Sequence, residues 1–365
     1  MATTPAQPEQ TEPQALPLGS LHEAEGAPLA PVCGWKVPLH FGDPEAEYTA
    51  ARESAALMDV SFLTVVEASG KDHLEYLNRR LSQRLIELEP GTGLRAAQLN
   101  GEGRMEADMD VFAVEEGRSL LLAPPAASGP YLQALADKYV FSEDAQFTDA
   151  AERHAAFAVF GPAAGKVLRD VGIGAPERGE IVSFTAAGQD GYAFHSSYLP
   201  GAVVVMVNRA GAKDFWEALR RATSATGGRP IGFHAFDTLR VEAGTPWWGI
   251  DLTERSIPLD ADLHDAIHTN KGCYPGQETV AKIVNLGHPP RKLVGLLFET
   301  ADPPRAGEKL TADGKSAGTL TTSTYSPRLG KAVGLGMVPW SYREPGTEVT
   351  AESGAGAKVV ALPFA

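Results

Sequence analysis

Apolar positions along the chain recur with two periods. Leu74, Leu77, Leu81 and Leu85 are spaced three, four and four apart, which lines one helix face and predicts a helix over residues 71–85. Residues 45–58, with Tyr48 and Leu57 inward, read as another helix. Segments 59–68, 95–99, 107–114 and 119–123 read as strands, and Asn100-Gly101-Glu102-Gly103 closes a hairpin between the second and third. A helix is expected near 131–140. A similar order then returns. Strand 154–160 leads into a helix that opens at Gly161-Pro162 and runs to 171, proline suiting the first turn. Strands at 181–185, 191–195 and 202–207 precede a helix at 213–223 with Phe215, Trp216 and Leu219 inward. This repeated succession suggests two similar halves, about 31–150 and 151–290, without visible identity between them. A short helix and a loop with Trp247-Trp248-Gly249 follow, then a helix at 259–268. Beyond Pro289-Pro290 the pattern becomes short strands at 292–298, 309–310, 316–325, 332–338 and 348–351, parted by turns such as Asp313-Gly314. That texture predicts a small β-barrel over 291–365.

Composition narrows the possibilities. Residues 1–30 hold five prolines, four glutamates and no Lys or Arg, and read as a disordered acidic tail with order beginning near Val32. They lack the basic start and apolar middle of a signal peptide, so a cytoplasmic protein is expected. No apolar run approaches the roughly 20 residues that span a bilayer, and no membrane association is expected. A net charge of −14 argues against general affinity for nucleic acid, and direct nucleic-acid binding is not expected. The two cysteines, Cys33 and Cys273, exclude a disulfide framework and a Cys₄ cluster or zinc site built by one chain.

The densest chemistry is Lys271-Gly272-Cys273-Tyr274-Pro275-Gly276-Gln277-Glu278. A nearby ammonium favours thiolate, so Lys271 is a candidate activator of a working thiol at Cys273. Gly272 and Gly276 permit unusual backbone angles and close approach of a ligand. The alternative is a buried small hydrophobe beside a solvated lysine. His264 and His268, four apart on the expected helix, have metal-ligand spacing, though a polar helix face explains them equally and no metal is assigned. Arg240 and Glu242 form either a structural ion pair or, with Trp247 and Trp248, the wall of a pocket for a flat heterocycle. Asp108 and Asp110 share one face of the hairpin's second strand, either exposed or turned into a cleft.

The KGCYPGQE stretch resembles the K-G-C-Y-x-G-Q-E signature of the YgfZ family, folate-binding proteins related to the glycine cleavage T-protein, an aminomethyltransferase. Other pieces occur in the expected order, among them Asp59-Val60-Ser61, Gly188-Gln189-Asp190-Gly191-Tyr192, Arg240-Val241-Glu242-Ala243-Gly244 and Trp248-Gly249-Ile250-Asp251. The resemblance implies an α+β fold: a pseudo-symmetric T-protein-like folate-binding domain at 31–290, followed by a small C-terminal β-barrel. It implies tetrahydrofolate or a derivative as ligand, with Asp108, Gln189, Arg240, Glu242 and Trp248 lining its cleft and Gln277 and Glu278 either ordering the motif loop or contacting the folate. It also implies an accessory role toward iron–sulfur enzymes or their assembly machinery, including tRNA-thiomethylating enzymes, with no stable cluster of its own. The T-protein's Asp-Asp pair is Ala107-Asp108 here, and its pterin-contacting glutamate is Gln189. These departures favour the accessory reading, with folate-dependent aminomethyl transfer as the alternative.

Overall fold

The computed structural model describes residues 12–365. It opens with β1 (Gln14–Ala15), α1 (Gly19–Ala24), β2 (Leu29–Val32) and β3 (Trp35–Pro38), a small sheet with β3 central. Then come α2 (Pro44–Glu53), β4 (Ala56–Asp59), β5 (Thr64–Ser69) and α3 (His73–Arg80). The hairpin of β6 (Thr92–Leu99) and β7 (Met105–Glu115) leads to β8 (Arg118–Ala123), α4 (Gly129–Asp137) and β9 (Gln146–Asp149). β10 (His154–Phe160), α5 (Ala164–Asp170), β11 (Ile181–Ala186), β12 (Gln189–Phe194) and β13 (Val203–Asn208) follow. After them come α6 (Ala212–Ala225), β14 (Arg229–Pro230), α7 (Phe233–Glu242) and α8 (Gln277–Leu286). The last strands are β15 (Arg291–Phe298), β16 (Lys309–Ala312), β17 (Lys315–Ser326), β18 (Lys331–Pro339), β19 (Glu348–Ala351) and β20 (Gly356–Val360).

Two compact units emerge. One gathers the chain up to Arg80 with Arg84–Ala96 and Ala107–Phe236; the other gathers Leu81–Gln83, Ala97–Glu106 and Asp237–Ala365. The first holds a six-stranded sheet ordered β11-β12-β13-β10-β4-β14 and most of a five-stranded sheet ordered β6-β7-β8-β5-β9. Its α5 and α6 pack Val167, Leu168, Phe215, Trp216 and Leu219 against Leu57, Phe157 and Val205. In the second unit, β15-β18-β17-β16-β19-β20 close into a barrel around Leu296, Phe298, Leu310, Leu320, Val338 and Val359. Each fully buried leucine or phenylalanine contributes on the order of 1.5–3 kcal/mol through burial. No helix among the described residues is long and apolar enough to cross a membrane.

Several expectations need correction. Residues 12–30 are not a disordered tail: Leu16 and Leu18 are buried, and His22 Nε2 lies 2.9 Å from Asp59 Oδ2. Composition alone hid those anchors; residues 1–11 lie outside the described residues. The helix expected at 45–58 stops at Glu53. The run Ala56–Asp59 is instead β4, buried throughout, because a short apolar run suits a covered strand as well as a helix. β4 pairs with β10, so sheet membership crosses the boundary expected between the two halves near 150. α3 ends at Arg80, and Leu81 bridges to Gln98. The helix expected at 259–268 is two 3₁₀ turns, Pro258–Ala261 and His264–Ala266, broken where Asp262 adopts a left-handed φ of 54°. His264 and His268 therefore do not share a helix face: His264 stands beside Asp262, and His268 Nδ1 accepts from Asn270 N at 3.1 Å.

Candidate active site

The chemistry of the first unit concentrates on β7. Side chains alternate along a strand, so Asp108 and Asp110 face one way. That face is covered rather than exposed: Asp108 is 0% and Asp110 2% accessible. Isolated carboxylates at that depth are costly, so partners must offset the burial. Arg95 on β6 supplies a fork to Asp108, with Nε donating to Oδ1 at 3.0 Å and Nη2 to Oδ2 at 2.5 Å. Asp110 receives Ser196 Oγ at 3.0 Å, Ser197 N at 2.9 Å and Ser197 Oγ at 2.5 Å, all from the turn after β12. The Arg95 guanidinium also lies 5.3 Å from the Tyr198 ring centroid.

The electrostatics separate the two acids. Burial pushes the Asp110 carboxyl up to about 6, against the serine hydrogen bonds and the Arg95 charge, which pull it down. Burial, with the charges of Asp108 and Asp110, holds the Tyr198 hydroxyl well above its usual range. One carboxylate is thus clamped in a bidentate ion pair, while its neighbour can exchange a proton near neutrality. The sequence singles out Asp110 beside Asp108, but not Arg95, Ser196 or Ser197. The i, i+2 spacing of the aspartates was the available signal; the serines, remote in sequence, gave none.

Gln189, at the start of β12, is half-buried. It lines a groove of about 600 Å³ with His154, Ser183, Thr185, Tyr192 and Asn208, a lining that includes neither aspartate.

The motif loop belongs to the second unit. Lys271 Nζ donates to the carbonyls of Leu81 and Gln83 at 2.6 and 2.7 Å and lies 5.1 Å from the Tyr274 ring centroid. His268 N donates to Ser82 O at 2.9 Å, so three consecutive residues grip the segment leading into the motif. Burial lowers the Lys271 ammonium to about 8. Tyr274 is buried, Gly272, Cys273 and Glu278 are exposed, and Gln277 Nε2 donates to Lys271 O at 3.5 Å. Gly276 has φ 78°, and a Cβ there would meet Asn100 O and Gly103 Cα at 2.6 Å. Gly276→Ala is therefore expected to destabilise the fold by about 1–3 kcal/mol, measurable as a lower denaturation midpoint. An unchanged midpoint would contradict that tight approach.

Arg240, Glu242 and Trp248 are buried, and the first two are engaged by internal partners. They are 1%, 4% and 0% accessible. Arg240 and Glu242 stand at the end of α7. Arg240 donates to Asp237 Oδ1 at 2.7 Å, Asp251 Oδ2 at 2.6 Å and Thr322 Oγ1 at 3.1 Å. Glu242 accepts from Ser326 Oγ at 2.5 Å and lies 3.6 Å from Arg328 Nε. Arg240 and Glu242 are therefore not each other's ion-pair partner; together they tie α7 to the barrel strand β17 and the turn that follows it.

Residues 18–271 match the GCVT N-terminal domain, and residues 291–365 match the glycine cleavage T-protein C-terminal barrel domain. The aminomethyltransferase of Streptomyces coelicolor is 30% identical over 97% of this chain and 98% of its own. That of Bacillus subtilis is 31% identical, covering 95% and 98%, and that of Rubrobacter xylanophilus 32%, covering 95% and 93%. The crystal structure of glycine cleavage system aminomethyltransferase T from Bartonella henselae superposes with a TM-score of 0.88 at 27% identity, covering 96% of this chain and 98% of that one. These end-to-end likenesses to aminomethyltransferases overturn the expected role as an accessory factor for iron–sulfur enzymes. With both domains matched in order, and relatives above 30% identity over nearly the whole length, the chain belongs to the glycine cleavage T-protein family.

Proposed function

We propose that the protein is a folate-dependent aminomethyltransferase, moving the one-carbon unit of an aminomethyl group onto tetrahydrofolate, the family's cofactor, while the amine leaves, or running the reverse. The observation that supports it most is the pair of buried carboxylates on β7, one clamped by Arg95 and the other raised to about 6. The donor set suits the cofactor: a reduced pterin presents ring N–H and amino donors, and carboxylates are acceptors for them. Asp108 would hold that edge. Tetrahydrofolate, when bound, supplies the nitrogens that carry the one-carbon unit. Transfer requires one nitrogen to lose a proton and the departing amine to gain one. Asp110 can hold or give up that proton at neutral pH, and Ser196 and Ser197 fix its orientation. Calorimetric titration tests the binding half of the reading. Tetrahydrofolate should give saturable heat with the wild type and bind about tenfold more weakly to Asp108→Asn. No heat from the wild type would contradict it.

The intact KGCYPGQE loop supports a narrower placement of this chain in the YgfZ branch of the family. If that loop is separate from the transfer chemistry, Cys273→Ser should keep the transfer rate within about twofold of wild type. A loss of tenfold or more would make the thiol part of the transfer site.

A further inference from the structure

We infer that the second unit carries a separate binding site for a small, multiply charged oxyanion, formed where the turn at residues 253–256 faces the barrel strands β16 and β17. The site is a groove of about 640 Å³, with Arg255, Arg291, Lys309, Ser316 and Thr319 in its wall. This inference does not rest on the transfer reading.

Three observations carry it. The first is charge. Acidic side chains outnumber basic ones 46 to 32, so most arginines find a carboxylate. Yet Arg255 and Lys309 have no ion-pair partner among the described residues. The acid in the same wall, Asp251, is already neutralised by Arg240 and accepts from Trp247 N, Thr321 Oγ1 and Thr322 Oγ1. The groove is therefore cationic in a protein of net charge −14.

The second is rigidity. Arg255 O accepts from Arg291 Nη2 at 2.6 Å and from Arg104 Nη1 at 3.3 Å. Arg255 N donates to Thr253 Oγ1 at 3.3 Å, Thr253 N to Ser256 Oγ at 3.1 Å, and Ser256 N to Thr253 O at 2.8 Å. Two guanidiniums and three local hydrogen bonds thus fix the backbone that presents the Arg255 side chain. A cation on a fixed turn loses less entropy on binding than one on a loose loop.

The third is the wall opposite. Ser316 and Thr319 on β17 add hydroxyl donors beside Lys309 on β16. Guanidinium, ammonium and hydroxyl donors lining a groove of this size match phosphate or carboxylate oxygens bearing two or more charges. The cations are partly exposed, so the attraction is screened and selects for multivalent anions over chloride.

The test uses the full chain in about 150 mM NaCl, close to physiological ionic strength. Sodium triphosphate and tri-γ-glutamate are titrated separately, against the wild type and an Arg255→Ala/Lys309→Ala double variant. Saturable binding of at least one anion is expected, weakened roughly tenfold or more in the double variant, with the unliganded melting temperature unchanged because both side chains are exposed. Binding of triphosphate alone assigns a phosphate ligand, of tri-γ-glutamate alone a carboxylate chain, and of both a site that reads charge. No saturable heat with either anion, or equal affinity in the double variant, overturns the inference.

Discussion

Arg240→Ala is expected to lower the free energy of unfolding by about 3–5 kcal/mol, the range for removing one partner of a buried ion pair. The guanidinium is 1% accessible and stands between Asp237 and Asp251. Burial opposes its charge, but the two carboxylates outweigh that and hold its pKa above the usual value. Truncation would strand Asp251, itself 3% accessible, without a cation. Thr321 and Thr322 would then be its remaining side-chain donors. The effect should show as a lower denaturant midpoint, and part of it should return in Arg240→Ala/Asp251→Asn, because the second change removes the stranded charge. A residue lining a folate cleft would behave in the opposite way: stability would hold and affinity would fall. That outcome would restore the role expected from the sequence and remove the structural one.

Asp110→Asn is expected to reduce aminomethyl transfer by about 10²–10⁴-fold, the usual worth of a positioned acid–base group. The amide keeps the shape and can still accept from Ser196 and Ser197, so folding should survive. A pH titration separates chemistry from structure. The folded carboxyl titrates at about 6, above its ordinary 3.8, so between these values the native state holds more protons than the unfolded chain. The associated stability is full below about 4 and is lost as pH rises through about 6. Asp110→Asn should remove that slope while the rest of the pH–stability curve stays in place. A variant that loses activity and keeps the slope would assign the shifted titration to another group.

Much of the architecture is legible because period reports burial. β10 spans His154–Phe160, as its apolar run indicates, and α6 buries Phe215, Trp216 and Leu219 on one face. The barrel shows through its short strands and turns, except β20 (Gly356–Val360), whose glycine and alanine give little strand signal. Apolar runs fail where they are short: Ala56–Asp59 is as compatible with a helix end as with a covered strand. The site is legible only in part. Alternation places Asp108 and Asp110 on one face, but spacing along β7 cannot reveal that Asp110 meets serines 86 and 87 positions away. Arg240 shows the reverse error. An arginine and a glutamate near two tryptophans look like a ligand wall, yet the structure uses the arginine between two aspartates, one of them in the loop after α7. Cys273 stands out through rarity, which reports neither burial nor partners.

If the chain transfers an aminomethyl unit by way of the β7 carboxylates, the transfer can be followed directly. The most direct measurement supplies tetrahydrofolate and a carbon-13-labelled aminomethyl donor and follows label on the folate by mass spectrometry. Labelled one-carbon folate should form with the wild type and fall at least about 100-fold with Asp110→Asn. Absence of label with the wild type, or an undiminished rate in the variant, would contradict the account.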